Sequence, residues 1–149
     1  MIITKTPLRM SYVGGGSDLP SFYREHGGAV ISTAIKKYVY VVIKERFERG
    51  IRLSYSKTEN VEHAGFIEHP LVRHALTMLE VDGDIEIVSL ADIPSSGTGL
   101  GSSSSFSCGL IKGLLAHQGH AISCDALAEH ACELEIERAG SPIGKQDQY

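Results

Sequence analysis

The sequence predicts a mixed α/β domain, a layer of sheet packed with helices, on three observations. β-Branched and aromatic runs dominate the first half of the chain, apolar residues at the helical period dominate the second, and glycine clusters punctuate the junctions. At 149 residues, 42% hydrophobic and 21% charged, the chain fits one domain spanning 1–149 that can bury about two thirds of its unfolded surface.

Residues 2–10 mix apolar and polar side chains as a half-buried strand does, and Pro7 restricts that strand to an edge or a bulge. The strand runs into Gly14-Gly15-Gly16, after which Asp18 stands as N-cap of a short helix over 19–26, closed by Gly27-Gly28. Residues 29–35 and 38–46, separated by Lys36-Lys37, read as two consecutive strands, and 51–55 as a third partner. Residues 70–79 carry Leu71, Ala75, Met78 and Leu79 at helical spacing, with Pro70 suited to a first turn. Residues 84–89 alternate as a strand, and a loop spans 91–101. Phe106, Leu110, Ile111, Leu114 and Leu115 place a helix over 102–118, ended by Gly119, and a further helix follows over 125–138. Residues 139–149, with Gly140, Pro142 and Gly144, read as a loop entering something the chain does not finish.

Composition excludes several function classes. Eighteen acidic residues against fourteen Lys plus Arg leave a net charge of −4, which gives no pull toward nucleic acid or anionic lipid. The basic residues between positions 36 and 52 are interleaved with strands and acids, as on a solvated sheet face. The longest apolar stretch, 38–43, is too short to cross a bilayer, and the N-terminus lacks the basic and apolar regions of a signal peptide, so the expected location is the cytoplasm. Cys108, Cys124 and Cys132 fit small buried thiols in a reducing compartment. With His117, His120 and His130 they do not make the paired knuckles of a zinc site, and the remaining histidines, His69 among them, read as surface or loop residues.

The strongest chemical signal is Pro94-Ser95-Ser96-Gly97-Thr98-Gly99-Leu100-Gly101-Ser102-Ser103-Ser104, between a predicted strand and a strong helix. Glycines on alternate positions let the backbone curve with its N–H groups inward, and the helix start adds unpaired donors, an arrangement suited to a phosphate. No Lys follows Gly101, so this is not a Walker loop; Ser102 and Ser103 offer hydroxyls instead, one of which could ligate Mg²⁺. The competing reading is a loop with an N-capping serine. On the helix over 125–138, Glu129, Glu133 and Glu137 form one stripe and Leu127, Ala131 and Leu134 the opposite, core-facing side. Glu135 falls on the small-residue flank of the apolar side, where a carboxylate needs a partner, either an Arg or Lys or a metal ion. Asp147, within Gly144-Lys145-Gln146-Asp147-Gln148, is either a loop cap or a general base for a substrate hydroxyl.

Together these segments resemble the GHMP kinases (galactokinase, homoserine kinase, mevalonate kinase and phosphomevalonate kinase). Residues 94–104 resemble that family's Pro-x3-Gly-Leu-Gly-Ser-Ser loop. Glu135 lies twelve residues before Asp147, and Arg9 nine before Asp18, as in its sugar kinases. Residues 7–20 and 144–149 look most like the kinases that act on the anomeric hydroxyl of D-glycero-D-manno-heptose 7-phosphate, whereas galactokinases carry Gly-Glu-His-Thr-Asp near the start. The resemblance implies a mostly antiparallel mixed sheet packed with helices, and ATP phosphates on Pro94 and residues 97–104. It further implies Mg²⁺ on Ser103 and Glu135, and Asp147 facing the anomeric hydroxyl with Arg9 beside it. Asp18, with Gly15, Gly16, Ser17, Gln146 and Arg9, would bind the sugar, and Lys145 would meet the 7-phosphate. The product would be heptose 1,7-bisphosphate, on the way to nucleotide-activated heptose. A fucokinase-like or other sugar 1-kinase, or a noncatalytic nucleotide or sugar-phosphate binding module, is the alternative. Family members run to about twice this length, so the expectation is an N-terminal portion without the ferredoxin-like C-terminal half. Such a portion would turn over weakly or not at all alone and tend to self-associate or to pair with that half.

Overall fold

The computed structural model describes residues 1–94 and 98–149. Five strands form one sheet in the order β1-β2-β5-β3-β4, comprising β1 (Ile2–Val13), β2 (Ile31–Glu45), β3 (Ile51–Ser54), β4 (Thr58–Val61) and β5 (Ile85–Ala91). All neighbours are antiparallel except β3 and β5. A parallel pair needs a long crossover, which is supplied here by β4, a 3-10 turn (Ala64–Phe66) and helix α2 (Pro70–Met78). Helix α1 (Pro20–His26) joins β1 to β2, while α3 (Ser102–His117) and α4 (Cys124–Cys132) follow the sheet. α4 runs directly into a π-helical segment, Glu133–Arg138. Among the described residues no helix is long and apolar enough to cross a membrane.

Alternation decides which face of the sheet is covered. Val39, Val41 and Ile43 of β2, Ile51 and Leu53 of β3, and Ile85 and Ile87 of β5 are buried with Val72 and Leu76 of α2 and Leu110, Ile111 and Leu114 of α3. α3 lies close to the sheet because it carries glycine where it meets β1 and β2. A Cβ on Gly109 would sit 2.8 Å from Thr6 Oγ1 and 3.1 Å from Thr4 Oγ1. Thr4 Oγ1 also donates to the Gly109 carbonyl at 2.9 Å.

Four expectations are corrected. The two strands over 29–46 are one strand, since Pro7 pairs with Tyr38 and Leu8 with Ile35, leaving Lys36 and Lys37 as a bulge opposite a proline that has no N–H to give the ladder. Asp18 does not cap α1; Leu19 holds that position without a side-chain bond, and Pro20 starts the helix. The helix over 125–138 is α-helical only to Cys132; beyond it the turn widens, with Ala139 N–H bonding the Leu134 carbonyl. Cys124 is exposed, although Cys108 and Cys132 are buried and all three are free.

β4 was not anticipated, because Thr58–Val61 has one apolar side chain and buries a carboxylate, Glu59. Burial pushes the Glu59 carboxyl up, but the Glu68 N–H, the Tyr55 hydroxyl and the charge of Lys57 outweigh it and hold the group below the usual carboxylate range.

The close approach of α3 predicts unequal costs for two matched substitutions. Gly109→Ala should lower stability by about 1–2 kcal/mol despite better helix propensity, because stiff threonines bound the site. Gly113→Ala should cost less, since its nearest neighbour, at 2.7 Å, is Ile43 Cδ1, the movable end of a side chain. Urea midpoints of the two variants measure the difference.

Candidate functional site

Three stretches far apart in sequence meet at the start of α3. Gly99 and Gly101 adopt φ of +64° and +71°, and Gly101, in the left-handed region, is the residue from which α3 begins. Arg9, on β1, pins this turn by donating its backbone N–H to the Leu100 carbonyl at 3.2 Å and its Nη1 to the Gly99 carbonyl at 2.7 Å. The rest of its guanidinium grips Asp147, with Nε at 2.7 Å and Nη2 at 2.5 Å from Oδ1. A Cβ on Gly101 would lie 3.3 Å from Asp147 Oδ2 and 3.4 Å from Arg9 side-chain atoms, so a side chain there would crowd both groups in addition to the strain of the positive φ. Among the described residues Oδ2 accepts no hydrogen bond, which leaves one carboxylate oxygen beside the helix mouth able to take a proton.

The second carboxylate stands one turn along α3. Glu135 is only 1% exposed. Its Oε1 accepts from Ser103 Oγ at 2.7 Å and its Oε2 from Gln148 Nε2 at 2.6 Å. Among the described residues it has no Lys or Arg partner, so a structural ion pair does not account for its burial. The π-helical widening lets the consecutive residues Leu134 and Glu135 both face inward. A buried carboxylate without a cation, beside an exposed serine hydroxyl, is a hard-oxygen donor pair of the kind Mg²⁺ takes when water and phosphate oxygens complete its shell. No cluster of three or more acidic, His or Cys ligands exists among the described residues, so any cation here would depend on those additional oxygens.

On the other side of Asp147 two glycine turns interlock. Asp18 Oδ1 accepts the Gly16 N–H at 2.8 Å and Oδ2 the Gln146 N–H at 3.1 Å. Gly144 packs so tightly on the Asp18 carboxylate that any side chain would overlap it. Ser11 Oγ donates to Gln146 Oε1 at 2.9 Å. Ser17 Oγ is engaged with the Gly14 and Ala29 carbonyls, holding the turn rather than facing open space. Gly16, Asp18, Gly144, Gln146 and Asp147 line a cavity of about 220 Å³. Lys145 leaves this group: its Nζ lies over the Tyr23 ring, 5.1 Å from the centroid, in a separate cavity.

A larger cavity, about 450 Å³, adjoins Ser102 and Ser103 and is walled by Val39, Leu53, Tyr55 and Phe106. His69, read from sequence as a surface or loop residue, stands in this wall, edge-on to Tyr55 and tilted against Phe106. Burial pushes its pKa below the ordinary histidine value, and its Nδ1 has no partner among the described residues.

The structure therefore gathers Arg9, Gly99, Gly101 and Asp147 at one point, Ser103 and Glu135 beside it, and Gly16, Asp18 and Gln146 on the far flank. Ser104 faces inward at 1% exposure and accepts from Gln148 Nε2, so its hydroxyl is not open to a ligand. Pro94 is exposed, Gly15 comes near Gln146, and Gly97, with Ser95 and Ser96, lies outside the described residues. Sequence reasoning missed Gln148, Ser11, Gly144 and His69. Nothing in their spacing marks them, because these contacts, Gln148 with Glu135, Ser11 with Gln146, Gly144 with Asp18 and His69 with Tyr55, join residues 13, 135, 126 and 14 positions apart.

A five-stranded, mostly antiparallel sheet packed with helices, with a glycine turn opening α3 and two acids and an arginine converging on it, makes this a mixed α+β domain. The chain belongs to the GHMP kinases, the model of the GHMP kinases N terminal domain matching residues 67–149. A D-glycero-alpha-D-manno-heptose 7-phosphate kinase of Campylobacter jejuni is 28% identical over 99% of this chain and 47% of its own length. A D-glycero-D-manno-heptose 1-phosphate kinase of Bacteroides thetaiotaomicron superposes over the whole chain and 52% of its own, with a TM-score of 0.86 at 24% identity. The mevalonate kinase of Methanococcus jannaschii superposes over 99% of this chain and 49% of its own, with a TM-score of 0.76 at 22% identity. The chain spans about half the length of these relatives.

Thiol chemistry reports on the packing around Glu135. Burial first, then the charge of Glu135, pushes the Cys108 thiol up to about 12, so at pH 8 only about one molecule in ten thousand carries the thiolate. Burial also raises Cys132. Iodoacetamide at pH 8 should modify Cys124 alone in the folded protein and all three cysteines in urea, as read by peptide mass spectrometry.

Proposed function

We propose that this chain is the nucleotide-binding part of a sugar kinase that transfers a phosphoryl group from ATP to the anomeric hydroxyl of D-glycero-D-manno-heptose 7-phosphate, giving the 1,7-bisphosphate. One observation carries the reading: the turn at Gly99 and Gly101, the Arg9–Asp147 pair and the Ser103–Glu135 pair share the mouth of α3. The 28% identity with the Campylobacter heptose 7-phosphate kinase supports the choice of sugar.

In this reading the phosphates of ATP lie on the backbone N–H groups of residues 98–104 and on the hydroxyls of Ser102 and Ser103, at a helix start whose partial positive charge favours them. The cavity beside Ser102 and Ser103 gives the rest of the nucleotide an apolar wall. The sugar occupies the side of Asp147 bounded by Gly15, Gly16, Asp18 and Gln146, with Lys145 turned elsewhere in this arrangement. Arg9 holds Oδ1 of Asp147, which leaves Oδ2 to orient the anomeric hydroxyl and take its proton as the oxygen attacks the γ-phosphorus, the bond from that phosphorus to the β–γ bridging oxygen breaks and ADP leaves. Mg²⁺, held by Ser103 and Glu135, would neutralise charge on the transferring phosphoryl oxygens. In this reading the protein works in the cytoplasm, where ATP is available.

The test supplies ATP and Mg²⁺ with D-glycero-D-manno-heptose 7-phosphate, L-fucose or galactose, to the chain alone and to the chain fused to the second half of the Campylobacter relative. ³¹P NMR should show an anomeric phosphate from the heptose substrate only. Asp147→Asn in the fusion should slow that reaction by about 10²–10⁴-fold while leaving ligand affinity in place. A phosphorylated fucose or galactose would replace the sugar, and ligand binding without turnover in the fusion would make the chain a binding module. By calorimetry the chain alone should bind ATP no more tightly than about millimolar, near −4 kcal/mol.

A further inference from the structure

Gln148 plays no part in the reaction as drawn, yet it is the most enclosed polar side chain of the 139–149 segment, at 7% exposure. Both hydrogens of its amide are engaged: Nε2 lies 2.6 Å from Glu135 Oε2 and 3.1 Å from Ser104 Oγ. The carboxylate dictates which way the amide faces, since the reverse orientation would set two acceptors against each other. Its backbone is held as well. The Cys108 thiol donates to the Gln148 carbonyl at 3.8 Å, and the Gln148 N–H to the Lys145 carbonyl at 3.4 Å.

We propose that Gln148 is a positioning residue: its amide locks the Glu135 carboxylate in the orientation that presents Oε1 toward Ser103 for a divalent cation. The inference rests on the reading of Ser103 and Glu135 as the cation-binding pair. In the structure Glu135 has two donors, the Ser103 hydroxyl on Oε1 and Gln148 on Oε2. A cation bridging Ser103 Oγ and Glu135 Oε1 would occupy the space between the two oxygens that the Ser103 hydroxyl hydrogen now spans. Gln148 is then the donor left on the carboxylate among the described residues, and the group that keeps it from rotating. Outer partners of this kind tune affinity as strongly as many direct ligands do.

Stability alone does not explain a glutamine here. Its Oε1 is buried and has no partner among the described residues, an unfavourable state that an apolar residue of the same shape would not create. The position also couples the two acids. Asp147 and Gln148 are consecutive, so one turn sends Asp147 to Arg9 and Gln148 to Glu135.

The experiment measures Mn²⁺ binding to the chain with AMP-PNP, by loss of the free-ion EPR signal, in the wild type, Glu135→Gln and Gln148→Met. Gln148→Met should weaken Mn²⁺ about 10- to 100-fold, with the metal-free AMP-PNP affinity unchanged. Wild-type Mn²⁺ affinity in Gln148→Met would overturn the proposal and leave the cation pair standing. Equal Mn²⁺ binding by wild type and Glu135→Gln would overturn the pair itself and the proposal with it. A measurement on the unaltered protein covers the case in which Gln148→Met fails to fold. The side-chain amide protons of Gln148 should exchange slowly in ¹⁵N spectra and shift when Mg²⁺ and AMP-PNP are added. Exchange at the rate of a surface amide, or no shift, would overturn the assignment.

Discussion

Gly101 has no side chain, and the candidate site exists in the space that absence leaves. Arg9 from the first strand and Asp147 from the last loop both press against its Cα, close enough that a single methyl group would be in tight contact with each. The same residue turns through a left-handed conformation into α3, so one position satisfies a backbone requirement and a packing requirement at once. The arginine is central because it bonds in two directions, to the glycine turn through the Gly99 carbonyl and to the acid through Oδ1. The guanidinium directs two N–H groups to that one oxygen while a third reaches the turn, a division that the single ammonium of a lysine would not reproduce.

The second half of the site follows from an electrostatic constraint. Glu135 is buried with neutral donors and no cation, an arrangement that costs free energy unless a positive charge arrives. The fold sustains it by surrounding the group with hydrogen bonds from two other segments and by widening the helix at that point. Cys108, kept as a thiol by its burial, belongs to the same enclosure through its bond to the Gln148 carbonyl.

Much of the fold was legible wherever one period governed a segment. β3, β5, α2 and α3 lie where alternation or the helical period put them, within a residue or two. The misreadings have particular causes. Lys36-Lys37 interrupts the apolar pattern of β2 because those residues bulge out opposite Pro7, and a bulge looks in sequence like the end of a strand. β4 carries a buried acid and almost no apolar pattern. The angular wheel used for the helix over 125–138 assumes an α-helical pitch that holds only to Cys132. At the site, the glycine turn, Glu135 and Asp147 stood out by chemistry and position, whereas Gln148 did not, being one more polar residue in a polar run.

The sequence by itself determined the class of the domain and the family to which it belongs, because residue periodicity and short glycine, serine and acid spacings are local quantities. Only the tertiary structure decided which partners those residues have. Asp18 binds two turns together instead of capping a helix, Lys145 lies on Tyr23, and Ser104 faces the core. Such outcomes depend on segments more than a hundred residues apart in the chain meeting at angstrom separations, as Arg9 and Asp147 do, and no window along the sequence contains both.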